Sequence, residues 1–174
     1  KLVKKIHRDY IEAGSEIIVA NTFRTTPRAF QKTGLSLKKA TKQAYQSLQL
    51  AIKLAKEASD ENITILGSIA PLEDCYKPKL FPGKKIAEKE FELIINWLID
   101  NDVNGIILET MNNLDETKTI LNILSHHNIP TYVSYYLINS KILPLNQLIN
   151  NAISLLKNYE IHALLFNCMP LNRM

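Results

Sequence analysis

The chain has 174 residues, 46% of them hydrophobic and 22% charged, with a formal net charge of +4 at pH 7. That length can bury a core unaided, the two cysteines are too few for a disulfide framework, and no apolar run nears the roughly 20 residues of a membrane helix. The lysines are scattered through helical stretches such as SLKKATKQAYQ, a solvated face rather than a basic stripe, so a reducing cytoplasm is expected, with neither nucleic acid nor membrane as partner.

The opening KLVKKIHRDY has amphipathic helical spacing and no signal-peptide character. It lacks an initiator Met and is expected to begin inside a longer reading frame. A short apolar β-type run, Glu16–Ala20, leads to Asn21 and Thr22. Ser36 then precedes a long helical pattern in which Leu37, Ala40, Ala44, Leu48, Ala51, Ile52 and Ala55 recur on one face. The second run, Ile63–Leu66, leads to Gly67 and Ser68. It opens the one long irregular segment, Ala70–Lys85, rich in Pro, Lys and acidic residues.

A helix over Ala87–Ile99 groups Phe91, Ile94, Ile95 and Leu98. The third run, Gly105–Leu108, gives way to Glu109 and Thr110. The next helix, Leu114–Leu124, carries Asp and Glu in its first turn, where carboxylates suit the helix dipole. Thr131–Val133 ends in Ser134, a helix spans Leu145–Leu156, and His162–Phe166 ends in Asn167 and Cys168.

Strands apolar on both faces and separated by helices imply a parallel sheet with helices covering it. The crossover rule leaves an open doubly wound sheet or a closed barrel, and periodicity does not choose between them. No linker divides the chain, so one domain is expected over residues 1–174.

In either architecture the carboxyl ends of the strands border a single pocket. Every proposed strand turns polar at that end. Glu109 stands out, because a carboxylate beside a core strand needs a counter-charge. A structural salt bridge would serve. No Lys or Arg occupies another strand end, however, so a ligand ammonium is the expected partner. Cys168, taken alone, fits a small buried hydrophobe as well as a metal ligand. His7, His126, His127 and His162 fall within helices or at strand starts, away from the functional edge. Cys75 is expected to be a loop thiol. No Gly-rich phosphate loop follows any strand, which disfavours a nucleotide-binding domain.

The segments AGSEIIVANTFRTTP, GSIAPLEDCY, GIILETMNNLDE, PTYVSYYL and LLFNCMP, in that order, resemble the homocysteine S-methyltransferase family. GSIAPLEDCY is similar to its zinc-dependent, stand-alone microbial members. The resemblance implies an incomplete (β/α)8 TIM-type barrel, truncated at both ends with the first and last strands missing. It implies methyl transfer from a small donor, a sulfonium such as S-methylmethionine, to homocysteine, giving methionine.

By the same resemblance Cys168 matches the first zinc-ligand cysteine, and Glu109 the glutamate that holds the amino group of homocysteine. Thr22 and Ser68 fall where neighbouring strand ends shape the amino-acid pocket. The chemistry is coherent. A thiol of pKa about 8.5 must become a thiolate to attack carbon, and a zinc held by three sulfurs keeps one position open for it. Glu109 would orient the other end of the substrate.

The sequence departs from the family pattern in three places. The Gly-rich first strand with its aspartate is absent, as is the late pair of adjacent cysteines, and YYLINSKILPLNQ lacks the usual Asp-Gly turn. The other two zinc ligands are therefore expected beyond Met174, with no tightly bound zinc in residues 1–174 alone. These residues by themselves are expected to be inactive and aggregation-prone, their open sheet edges covered by another chain or a swapped copy. A degenerate non-catalytic remnant, or the homocysteine-binding module of a cobalamin-dependent methionine synthase, are the alternatives.

Overall fold

The computed structural model describes residues 2–136 and 145–168. Along these the chain forms α1 (Leu2–Glu12), β1 (Ile17–Ala20), α2 (Pro27–Gln31), α3 (Leu37–Lys56) and β2 (Thr64–Ile69). A 3₁₀ turn at Pro78–Leu80 follows, then α4 (Lys84–Asp100), β3 (Gly105–Met111), α5 (Leu114–Leu124), β4 (Thr131–Tyr135), α6 (Leu145–Leu156) and β5 (Ala163–Phe166). The strands form one five-stranded sheet in the order β1-β2-β3-β4-β5. Strands β1 and β2 pair in parallel from Ile17↔Thr64 to Ala20↔Gly67, as do β4 and β5 from Tyr132↔Ala163 to Tyr135↔Phe166. Sequential parallel neighbours joined through helices are the arrangement the alternating pattern predicts.

Side-chain caps start two of the helices. Asn113 caps α5, its side chain accepting from Glu116 N–H at 3.0 Å. Thr26 caps the five-residue α2 by accepting from Ala29 N–H at 3.1 Å, and Pro27 occupies the first turn. Helix α2 was not expected, although Thr-Pro is a helix-start signal. Ser36 has the extended backbone of a cap, yet its side chain makes no capping bond.

The chain divides into two compact units, Lys1–Ile69 with Leu93–Ile107, and Ala70–Glu92 with Leu108–Met174. In the first, Ala40, Ala44, Leu48, Ala51, Ile52 and Ala55 of α3 are buried as their spacing predicts. Leu37 is 61% exposed, so the apolar face starts one turn later than expected. A Cβ on Gly67 would lie 2.7 Å from Leu98 Cδ2, so the absent side chain is what lets α4 approach β2. Asn104 pins the start of β3 to β2. Its N–H donates to Ile65 O at 2.9 Å and its Oδ1 accepts from Ile65 N–H at 2.8 Å.

Strand β1 is not buried on both faces. Ile18 and Ala20 are covered on the side where α1 and α3 pack, whereas Ile17 and Val19 are 46% and 37% exposed. Among the described residues no strand lies beyond β1 in the sheet order, and one layer of helices can cover only one face of an edge strand.

The second unit has a core of Phe91, Leu108, Met111, Ile120, Leu121, Leu124, Val133, Tyr135 and Leu156. Its irregular segment after β2 is strapped to the β3–α5 junction. Leu72 N–H donates to the buried Glu116 carboxylate at 2.8 Å, Asn112 donates to Cys75 O, and Asn113 Nδ2 donates to Pro78 O at 3.1 Å. His126 and His127 lie in the turn after α5, and His162 precedes β5, donating its N–H to Thr131 O at 2.7 Å. These are the amino-terminal ends of the strands, as their sequence positions require. The missing Asp-Gly turn concerns residues 137–144, which lie outside the described residues.

Candidate functional site

Thr22, Asn167 and Cys168 follow β1 and β5 as expected, whereas Ser68, Glu109, Thr110 and Ser134 lie inside β2, β3 and β4, which each run further than the apolar pattern. In the first unit, Thr22 and Ser68 are 2% and 1% exposed. The Thr22 hydroxyl donates to Ser68 O at 2.9 Å and accepts from Ser68 N–H at 2.8 Å. Both its donor and an acceptor lobe are thus engaged with backbone. Thr25 folds the next turn over it, donating through Oγ1 to Thr22 O at 2.9 Å. The Thr22 hydroxyl is thereby committed to the strand end.

The second unit holds Glu109, Thr110, Ser134, Asn167 and Cys168. Glu109 is half-buried within β3, one residue before the buried Thr110. Thr110 has φ +61 and Cys168 φ +54, and Asp102 is the one other non-glycine residue with positive φ among those described. A β-branched residue in this region is a strained outlier, of the kind that gathers at functional sites. Asn167 ties these positions together. Its Nδ2 donates to Thr110 Oγ1 at 2.7 Å, its Oδ1 accepts from Ser134 Oγ at 3.1 Å, and its N–H donates to Tyr135 O at 3.1 Å.

Cys168 is exposed, and Asn167 Nδ2 lies 3.7 Å from its Sγ. The expected buried thiol is Cys75 instead, at 7% exposure, and neither cysteine is in a disulfide. Tyr76 extends from the strapped segment to the same place. A hydrogen bond with Cys168, then the charges of Cys168 and Cys75, push the Tyr76 hydroxyl above its ordinary value. Its ring meets Tyr136 edge-on at 4.9 Å.

Among the described residues no group of three or more His, Cys, Asp or Glu converges to hold a metal ion. Cys168 is an exposed thiol of suitable softness for zinc, but it is one sulfur. The described residues do not complete such a site.

The structure thus brings Thr110, Ser134, Asn167 and Cys168 into one network with Glu109 adjoining it, and it locks Thr22 to Ser68. Thr110, Ser134 and Asn167, with the neighbouring Tyr76, lacked an assigned role in the sequence. Asn167 was visible only as a polar strand tip, with its place directly before a cysteine as the available signal. Tyr76 carried no signal beyond its aromatic side chain in a polar segment.

A sequence model of the homocysteine S-methyltransferase family matches residues 1–174. Similar proteins include the homocysteine S-methyltransferase of Escherichia coli (strain K12), 23% identical over 188 residues, covering 98% of this chain and 59% of that one. Homocysteine S-methyltransferase 3 of Zea mays is 26% identical over 193 residues, covering 97% and 56%. Among solved structures, the metallated homocysteine methyltransferase MmuM of Escherichia coli superposes with a TM-score of 0.80 at 22% identity, over 97% of this chain and 63% of that one. Its oxidised form gives 0.82 at 21% identity, over 98% and 63%. The chain therefore spans roughly three-fifths of the relatives it matches. The fold is α/β with parallel strands, part of a TIM-barrel-type arrangement.

Proposed function

The chain belongs to the homocysteine S-methyltransferase family, and from that premise we propose that the full-length protein transfers a methyl group from a small donor to the thiol of homocysteine, giving methionine. The observation that carries this is the strand-end network of β3, β4 and β5, in which Asn167 joins Thr110, the neighbour of Glu109, to the backbone of Cys168. A carboxylate beside one tie point suits an ammonium, and a thiol at the other suits soft-metal and sulfur chemistry.

In this proposal Glu109 holds the amino group of homocysteine, and Thr22 and Ser68 give the amino-acid pocket its shape. Cys168 would be one ligand to a zinc ion, the remaining ligands coming from residues outside those described. When bound, that ion would favour the thiolate over the thiol. The contribution of this chain's own residues is orientation, since holding a reactant in an attack-ready pose removes much of the entropic barrier. A sulfonium such as S-methylmethionine is the favoured donor, because its leaving group departs neutral. A reducing cytoplasm suits the thiols this chemistry needs. Among the described residues no helix is long and apolar enough to cross a membrane.

The test is methionine formation by the full-length protein, supplied with zinc, homocysteine and either S-methylmethionine or methylcobalamin. Turnover with the sulfonium is expected, and Glu109→Gln should raise the homocysteine KM by roughly tenfold or more, as loss of a charged partner does. No methionine with either donor would refute the proposal and leave a non-catalytic barrel. Turnover with methylcobalamin alone would refute the sulfonium. Residues 1–174 by themselves should show no turnover.

A further inference from the structure

We infer that Asn167 is a positioning residue, whose carboxamide sets the spacing between the carboxylate of Glu109 and the thiol of Cys168; the inference rests on the proposed use of those two groups.

Homocysteine has its ammonium at one end of a short carbon chain and its sulfur at the other, so the groups that hold them must be correctly spaced. In this chain both holders adjoin residues in the left-handed region. Thr110, at φ +61, directly follows Glu109, and Cys168 itself has φ +54. Neither is a glycine, so surrounding contacts must impose each conformation.

One side chain reaches both. Asn167 is peptide-bonded to Cys168 and donates at 2.7 Å to Thr110 Oγ1. Its Oδ1 accepts from Ser134 Oγ at 3.1 Å, so the same amide also engages β4. The backbone N–H, donating to Tyr135 O at 3.1 Å, keeps the residue in register with β4. An aspartate could accept from the Thr110 hydroxyl but not donate to it, and would place a negative charge beside the sulfur. A glutamine would be one methylene too long, and an alanine would leave Thr110 without this donor. An amide of this length closes the bridge from β3 to β5 without adding charge.

The experiment is a double-mutant cycle between Asn167→Ala and Thr110→Val in the full-length protein. Valine keeps the shape of threonine and removes the hydroxyl that accepts from Asn167, so it also serves if the alanine variant folds poorly. Homocysteine binding to zinc-loaded protein is followed by titration calorimetry. Each single variant should bind about tenfold more weakly, and the double variant also about tenfold, because both lose the same link. A roughly hundredfold loss in the double variant, or wild-type affinity in Asn167→Ala, would overturn the inference.

A second readout is the rate at which iodoacetamide alkylates Cys168 in metal-free protein, located by mass spectrometry. Both singles and the double should change it by one common factor, about threefold. If wild-type protein bound no homocysteine, the functional proposal would fall. Alkylation would then decide alone: a common factor would keep Asn167 as the clamp on Cys168, and unchanged or multiplying factors would remove it.

Discussion

The hydroxyl of Thr22 donates to the Ser68 carbonyl at 2.9 Å while accepting from the Ser68 N–H at 2.8 Å, so a single side chain closes both backbone groups of a residue 46 positions away. Thr22→Val keeps the shape and leaves a buried N–H and C=O without this partner. It should cost about 1–3 kcal/mol in urea or thermal unfolding, whereas Thr22→Ser should cost well under half as much. Equal stability of Thr22→Val and wild type would show that the lock does not hold the strand ends.

Glu116 is 2% exposed, and its carboxylate accepts from Leu72 N–H at 2.8 Å at the start of the segment that carries Cys75 and Tyr76. Glu116→Ala removes that acceptor from a buried amide and should cost about 1–3 kcal/mol. The loosened segment should show faster amide exchange around Leu72 and new proteolytic cuts between residues 72 and 83. Glu116→Gln keeps an acceptor oxygen and should preserve most of the protection. Unaltered exchange in Glu116→Ala would mean that the straps from Asn112 and Asn113 suffice.

Tyr135 is fully buried, its hydroxyl has no hydrogen-bond partner among the described residues, and burial pushes its pKa up to about 12. The Thr117 hydroxyl lies near enough to oppose that shift, yet its own proton goes to Asn113 O at 2.9 Å. An unsatisfied buried hydroxyl is a liability, so Tyr135→Phe should raise stability by about 1 kcal/mol. A loss of stability on that substitution would reveal a partner for the hydroxyl in solution.

His7 is buried on α1 beside Ile6, Tyr10, Ile17, Ile18 and Val19, with no partner for Nε2 among the described residues. Burial lowers its pKa below the ordinary 6.5. The folded chain therefore binds fewer protons than the unfolded chain below that pH. Its contribution is unpenalised above about pH 6.5, and stability is lost as pH falls from there through the lower folded value. His7→Phe should flatten this part of the stability–pH curve in chemical unfolding between pH 5 and pH 7. An unchanged slope would assign the acid loss to other groups.

Much of the architecture was legible because it depends on local periodicity. Leu114–Leu124 and Leu145–Leu156 match their observed helices end to end, and the five strands lie where the short apolar runs fall. The misses have local causes too. Leu37 has the right spacing but sits in a first turn beyond the buried stretch of α3. Strand β1 has an apolar sequence on both faces and a helical cover on one. Of the site, Glu109 stood out because a carboxylate ending an apolar strand is chemically conspicuous, whereas Cys168 took its role only from the family resemblance.

The order of residues by itself determined where helices and strands form, and that polar groups end every strand, since these follow from side-chain spacing over a few positions. Only the tertiary structure decided what those groups touch. Asn167 meets Thr110 across 57 positions, and Thr22 meets Ser68 across 46. Hydrogen bonds of that span require a particular register and backbone twist in strands distant along the chain. Left-handed Thr110 and Cys168 show the same division: nothing local favours that conformation in either residue, so long-range contacts must impose it.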